Sequence, residues 1–216
     1  FNNDNNDWFW ICAHAAINKN LEILKLLREY NCPWNSYTCS TAAFNGNFDA
    51  LKFARENGCE WNVDTFSSAV HNGNFEMLNW LRDNGCPWNE YVYIRAIINN
   101  NIEILNWART NGCPWSANVC AHAVQHDRID ILKWLRENGC PWSSNVCANA
   151  AQYDRLDILK WLRKNECPWD QFTTLYAALH GNFETLKWAY ENGCPMSIDI
   201  CKCNASNHPE IMFWLN

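Results

Sequence analysis

The sequence predicts an all-α helical-repeat solenoid, and three observations predict it. A Cys-Pro-Trp tripeptide or a close variant recurs at 32, 59, 86, 113, 140, 167 and 194, a step of 27 residues without insertion. A fixed period of this size marks architectures in which each repeat is one supersecondary unit that buries its apolar face against its neighbours. Apolar residues within a repeat recur with helical periodicity, as in Ile129, Ile131, Leu132, Trp134 and Leu135, and no stretch alternates with period two. Helix start and stop signals also fall at fixed places in each copy. Together these predict about eight helix-turn-helix repeats and no sheet.

Each element follows in order. The residue after the loop Trp is Asn35, Asn62, Asn89, Ser116, Ser143, Asp170 or Ser197. All are good N-cap residues, so a first helix starts there. Its small apolar pair, such as Ala42/Ala43 or Ala150/Ala151, lets neighbouring backbones pack closely. A short polar turn follows, as in Asn45-Gly46-Asn47. The second helix opens with an acid, Asp49, Glu76 or Asp130, and ends with a base, Arg55, Arg82 or Arg136, which suits the helix dipole. Glycine at 58, 85, 112, 139 and 193 closes it, with Asn31 and Glu166 as substitutes. The register predicts a single array over 1–216: a polar segment at 1–7, repeats over 8–196, and a last, incomplete repeat at 197–216.

The pattern over Gly181–Pro195, G-N-F-E-x-L-K-W-x-x-E-N-G-C-P, resembles the second helix of the ankyrin repeat. The Ala-Ala pair before the turn matches as well, and the resemblance covers about residues 8–216. It departs in two ways. The ankyrin period is about 33 residues, and the ankyrin T-P-L-H motif is degenerate here, as in Thr38-Cys39-Ser40-Thr41. The chain is similar to the shortened ankyrin-like repeat with a G-C-P-W signature, common in giant DNA viruses and some protists. That resemblance implies an ankyrin-like solenoid acting in protein–protein interaction, as a scaffold.

Composition narrows the function. The net charge is −6 and the basic residues recur singly, so no nucleic-acid footprint is expected. No apolar run approaches the ~20 residues that span a bilayer. Thirteen cysteines fall mostly in two columns, one in the loop and one in the first helix (Cys12, Cys39, Cys120, Cys147, Cys201). Equivalent residues in neighbouring repeats lie ~8–10 Å apart, too far for a disulfide or for two ligands of one zinc. The reading is therefore reduced, metal-free thiols in a reducing, intracellular compartment. The histidines form no motif, and no phosphate loop or nucleophile elbow is present, so neither enzyme nor cofactor is expected. Fourteen tryptophans, most in two columns, are read as core. The apolar ending Met212-Phe213-Trp214-Leu215 is not a polar cap and suggests a longer natural chain.

Repeats also compare with each other. First-helix positions spaced i, i+4, i+7 vary most and share one helix face. They read Tyr37/Thr41/Phe44, Tyr91/Arg95/Ile98, Asn118/His122/Gln125 and Phe172/Tyr176/Leu179, among others. Aromatic and Arg side chains amid polar neighbours are typical of interface hot spots. The candidate partner-binding residues are Trp10, Tyr37, Phe44, Tyr91, Arg95, Ile98, His122, Phe172, Tyr176 and Leu179. The expected partner is another protein. The alternative is a structural subunit of a large assembly such as a virion.

Overall fold

A computed structural model describes residues 6–18 and 21–216, with the side chains of 6–9 excepted. The expected polar segment at 1–7 thus lies largely outside the described residues. Sixteen helices and no strand are present among the described residues. They form two compact units, one ending at Pro114 and one beginning at Trp115. In the first unit, α1 (Asn6–Ile17), α3 (Ser36–Phe44), α5 (Val63–Asn72) and α7 (Tyr91–Ile98) are the first helices. Their second helices are α2 (Leu21–Glu29), α4 (Phe48–Glu56), α6 (Phe75–Asp83) and α8 (Ile102–Thr110). In the second unit, α9 (Ala117–Gln125), α11 (Ser144–Gln152), α13 (Gln171–Leu179) and α15 (Ile198–Asn204) alternate with α10 (Ile129–Glu137), α12 (Leu156–Lys164), α14 (Phe183–Glu191) and α16 (Pro209–Leu215). The last repeat has two short helices, each 7 residues long.

Several capping signals act where expected, whereas α7 begins one residue later, with Glu90 rather than Asn89 at its N-cap, and Ser143 and Ser197 make no side-chain cap bond. Asn35 Oδ1 accepts from the Tyr37 N–H at 3.0 Å, and Asp170 Oδ1 accepts from the Phe172 N–H at 3.0 Å. Asn62 completes a capping box with Thr65. Behind each second helix the chain turns left-handed: Gly58 has φ 84° and Gly139 φ 80°, while Asn31 and Glu166 take φ 55° and 62° without glycine's freedom. The turn asparagines do more than the sequence suggests. Asn47 Oδ1 accepts from the Ala50 N–H, capping α4, while its Nδ2 donates to the Ala16 carbonyl at 3.0 Å, one repeat back. Asn182 likewise donates to the Ala151 carbonyl at 2.7 Å. At Asn47 one side chain thus caps a helix and ties it to the preceding repeat, whereas Asn182 makes the tie alone.

The interior is made of columns. Leu24, Leu51, Leu78, Leu105, Leu132, Leu159 and Leu186 recur every 27 residues and are all fully buried. Cys12, Cys39, Phe66, Tyr93, Cys120, Cys147, Thr174 and Cys201 form the equivalent first-helix column, also buried. Fully burying one leucine contributes about 1.5–3 kcal/mol.

The tryptophans depart from the expected core. Both columns are half-buried throughout. A loop indole meets a second-helix indole edge to face, as in Trp61/Trp80 at 5.6 Å between centroids and Trp142/Trp161 at 6.0 Å. An arginine then covers the loop ring: Arg28 over Trp34 at 4.2 Å, Arg136 over Trp142 at 4.2 Å, Arg163 over Trp169 at 4.2 Å. Leu, Ala and Cys fill most of the interior, with Phe66 and Tyr93 also fully enclosed. The indoles roof the junction instead, half-buried.

Candidate partner-binding face

On the first unit, the i, i+4, i+7 spacing turns one side of each first helix outward. Trp10 and Tyr91 are 51% exposed, Tyr37 49%, Phe44 46% and Ile98 39%, and Arg95 is exposed beside them. The aromatics are held in place rather than splayed. Trp10 meets Tyr37 edge to face at 5.0 Å, and Phe44 stacks on His71 at 4.3 Å with the planes 7° apart. Two depressions adjoin along this face and share Tyr37, Ser40 and Ser68. One, of about 420 Å³, is walled by Ile17 and Phe44. The other, of about 260 Å³, runs past Asn62 and Ser67 to Asp64 and Arg95.

The floor of this groove is hydroxyl-rich. Ser40 Oγ lies 3.0 Å from the Ser36 carbonyl and 3.1 Å from Thr65 Oγ1, and Ser67 Oγ donates to the Asp64 carbonyl at 3.2 Å. An aromatic wall, a polar floor and charges of both signs allow combined apolar and hydrogen-bonded recognition. Sequence reasoning did not single out Ser40 and Ser67. Both lie at i+3 from the first member of a trio, on the same helix face, and that spacing is the signal that finds them.

The second unit differs. Its α9 and α11 present Asn118 and Asn145 as exposed residues, with Gln125, Asn149 and Gln152 half-buried. His122, expected on the open face, is half-buried, its ring 6.5 Å from that of His126. On α13, Phe172 and Leu179 are exposed at 45% and 40%, whereas Tyr176 is half-buried with its ring 6.1 Å from Phe172. A small depression of about 90 Å³ lies between Phe172, Leu175 and Ile200. The ten candidates therefore divide, with Trp10, Tyr37, Phe44, Tyr91, Arg95 and Ile98 in the first unit and the rest in the second.

None of the thirteen cysteines is in a disulfide; twelve are buried and Cys203 is exposed. The loop thiol has a directed role that its reading as a small hydrophobe missed. Cys59 Sγ donates to the Asn35 carbonyl at 3.1 Å, Cys113 Sγ to Asn89 at 3.3 Å and Cys194 Sγ to Asp170 at 3.3 Å. Each bond reaches the residue after the preceding loop Trp, 24 positions back, and links two repeats. Burial pushes the thiols of Cys86, Cys113 and Cys194 up to about 12, so they stay protonated donors. Among the described residues, no three His, Cys, Asp or Glu side chains gather as a metal site, and no helix is long and apolar enough to cross a membrane.

The geometry defines a class: an all-α helical-repeat protein with a constant interior and a face that changes from repeat to repeat. No family model and no curated protein matches the sequence. Among solved structures, it is similar to the human ASB11 ankyrin repeat domain, at 17% identity over 85% of this chain and 84% of that one, with a TM-score of 0.37. It is also similar to the pentatricopeptide repeat protein PPR10 from maize, at 11% identity over 98% of this chain and 38% of that one, TM-score 0.49. The same maize protein in complex with an 18-nt psaJ RNA element gives 11% identity over 97% and 38%, TM-score 0.47. At these scores neither likeness decides between the two repeat classes, and the fold rests on the helices and columns above.

Proposed function

We propose that this chain is a non-enzymatic, ankyrin-like scaffold or adaptor that binds another protein along the first-helix face of its first unit. The single observation that carries the reading is the groove shared by Tyr37, Ser40 and Ser68, flanked by Phe44 and Arg95. Aromatic and Arg side chains bury large area at low entropy cost and dominate interface energies. Several such side chains standing in solvent side by side are not needed for the fold, because the interior columns lie beneath them.

A protein fits this face better than a nucleic acid does. The chain carries a net charge of −6, and Arg28, Arg55, Arg136 and Arg163 lie over loop tryptophans. A polyanion needs a concentrated basic stripe. Thirteen cysteines, none in a disulfide, accord with a reducing, intracellular compartment.

The test is affinity capture from the native source with quantitative mass spectrometry, followed by binding measurements with the captured protein. Tyr91→Ala combined with Arg95→Ala is expected to weaken binding at least tenfold, about 1.4 kcal/mol or more, at an unchanged melting temperature. If binding survives this change but is lost on altering Lys133 and Lys160, exposed on the second helices, the adaptor reading fails. A structural subunit of a larger assembly then takes its place.

A further inference from the structure

Thr41, Ser68 and Arg95 hold one position in three successive repeats, on α3, α5 and α7. All three line the groove of the first unit: Thr41 the larger depression, Arg95 the smaller, and Ser68 both. None of these side chains has a hydrogen-bond or ion-pair partner among the described residues. Their neighbours do. Ser40 and Ser67 direct their hydroxyls to the carbonyls of Ser36 and Asp64, and Asn62 Nδ2 donates to Ser36 Oγ and to Asp64 Oδ2, both at 3.4 Å. In the repeat before, His14 holds the same position, and its Nδ1 lies 2.7 Å from the Trp10 carbonyl. Thr41 is 8% exposed. A hydroxyl so enclosed and left unpaired destabilises the chain until something bonds it.

The two ends of the groove differ in chemistry. Ile17, Tyr37 and Phe44 wall the larger depression, which suits an apolar side chain. At the other end Arg95 is an exposed cation without a counter-ion, and its planar guanidinium matches a carboxylate. Asp64 lines the same depression without pairing with Arg95. Its negative charge repels a doubly charged phosphate group more than a singly charged carboxylate. Between the ends, the Ser68 hydroxyl both donates and accepts, as the backbone of a peptide does. Packed helices lie ~8–10 Å apart, and an extended chain advances ~3.3 Å per residue. The two steps from Thr41 to Arg95 therefore span about five or six residues of an extended chain.

Given that this face binds a protein, we infer that the partner presents an extended segment carrying an apolar residue and an Asp or Glu about five or six positions apart. The apolar side chain seats between Ile17, Tyr37 and Phe44. The carboxylate pairs with Arg95, and the segment's backbone bonds the hydroxyls of Thr41 and Ser68.

The probe is a displayed library of random peptides of about twelve residues, selected on the full chain. Selected sequences are expected to share an apolar residue and an acid about five or six positions apart. Fluorescence anisotropy then follows the strongest peptide. Arg95→Glu is expected to weaken it at least tenfold, and exchanging the peptide's acid for Lys is expected to restore binding to that variant. Thr41→Val is expected to weaken the peptide several-fold while raising the melting temperature of the free chain. A hydroxyl that served only the fold would not move the two in opposite directions. Circular dichroism reports whether the variants are folded, and if one is not, the shared pattern in the selected peptides decides. A selection without an enriched acid, or a peptide indifferent to Arg95→Glu, overturns the inference. If that happens while the captured native protein still depends on Tyr91 and Arg95, the partner offers a folded surface and the adaptor reading stands. If that dependence is lost as well, the adaptor reading falls with it.

Discussion

In the first unit, the open face of α1, α3, α5 and α7 carries Trp10, Tyr37, Phe44, Tyr91 and Arg95. In the second, α9 and α11 show amides at the same positions, Asn118 and Asn145 among them. Beneath these faces nothing comparable changes. Leu51 and Leu78 in one unit and Leu132 and Leu159 in the other are all fully buried, as are Cys39 and Cys147. The difference separates two kinds of constraint. The leucine column keeps one residue in all seven copies from Leu24 to Leu186, and the first-helix column stays buried whether Cys, Phe, Tyr or Thr fills it, whereas a position facing water is free to be chosen for a partner. The indoles stand between, half-buried and held by ring contacts.

The largest expected effect concerns the interior thiols. Burial holds the thiol of Cys12 at about 11 and those of Cys86, Cys113 and Cys194 at about 12. Unfolded, each titrates near ~8.5. As pH rises, the unfolded chain loses these protons first, so stability is fully present below about pH 8.5 and falls as pH approaches the folded values. Each thiol costs about 1.4 kcal/mol per pH unit within that window. Urea midpoints under reducing conditions should therefore hold steady below about pH 8 and drop steeply by about pH 10. A flat profile would mean that the thiols are not interior.

Next comes Leu132→Ala, which opens a cavity in a fully buried column and is expected to cost about 2–5 kcal/mol. Trp134→Ala removes a ring that is only half-buried, so about 2 kcal/mol is expected, less than for a fully enclosed indole. A larger loss at Trp134 than at Leu132 would reverse the assignment of core and roof. Lys133→Ala, between them in sequence and exposed, should stay within about 0.5 kcal/mol. Denaturant midpoints of the three variants, measured side by side, rank the layers directly.

Much of the fold was legible because each repeat serves as a control for the others. The N-cap residues, the left-handed stops and the buried Leu and Ala columns recur at one register, and each has a local physical cause. What remained hidden depends on contacts between elements. The tryptophans looked like core because they do not vary, yet a roofing residue held by ring contacts is as constant as a buried one. The approach of the Cys147 thiol to the Cys167 carbonyl depends on how a helix lies against a loop, which a comparison within one column does not reach. The same holds for Asn47, whose bond to the Ala16 carbonyl spans two repeats. At the candidate face, the exposed aromatics were legible from their spacing. The groove beside them was not, because Ser40, Asn62 and Arg95 come from three different repeats.

The central claim is that binding resides in the face that differs between the units. Its most direct test is quantitative affinity capture with three versions of the chain: the natural sequence, Tyr37→Ala/Tyr91→Ala/Arg95→Ala, and Asn118→Ala/Asn145→Ala. All three should melt at nearly the same temperature, since these side chains lie outside the interior columns. The account predicts that a captured protein falls at least tenfold with the first variant and is retained by the second. Equal retention by all three, or a loss with the amide variant alone, would contradict it.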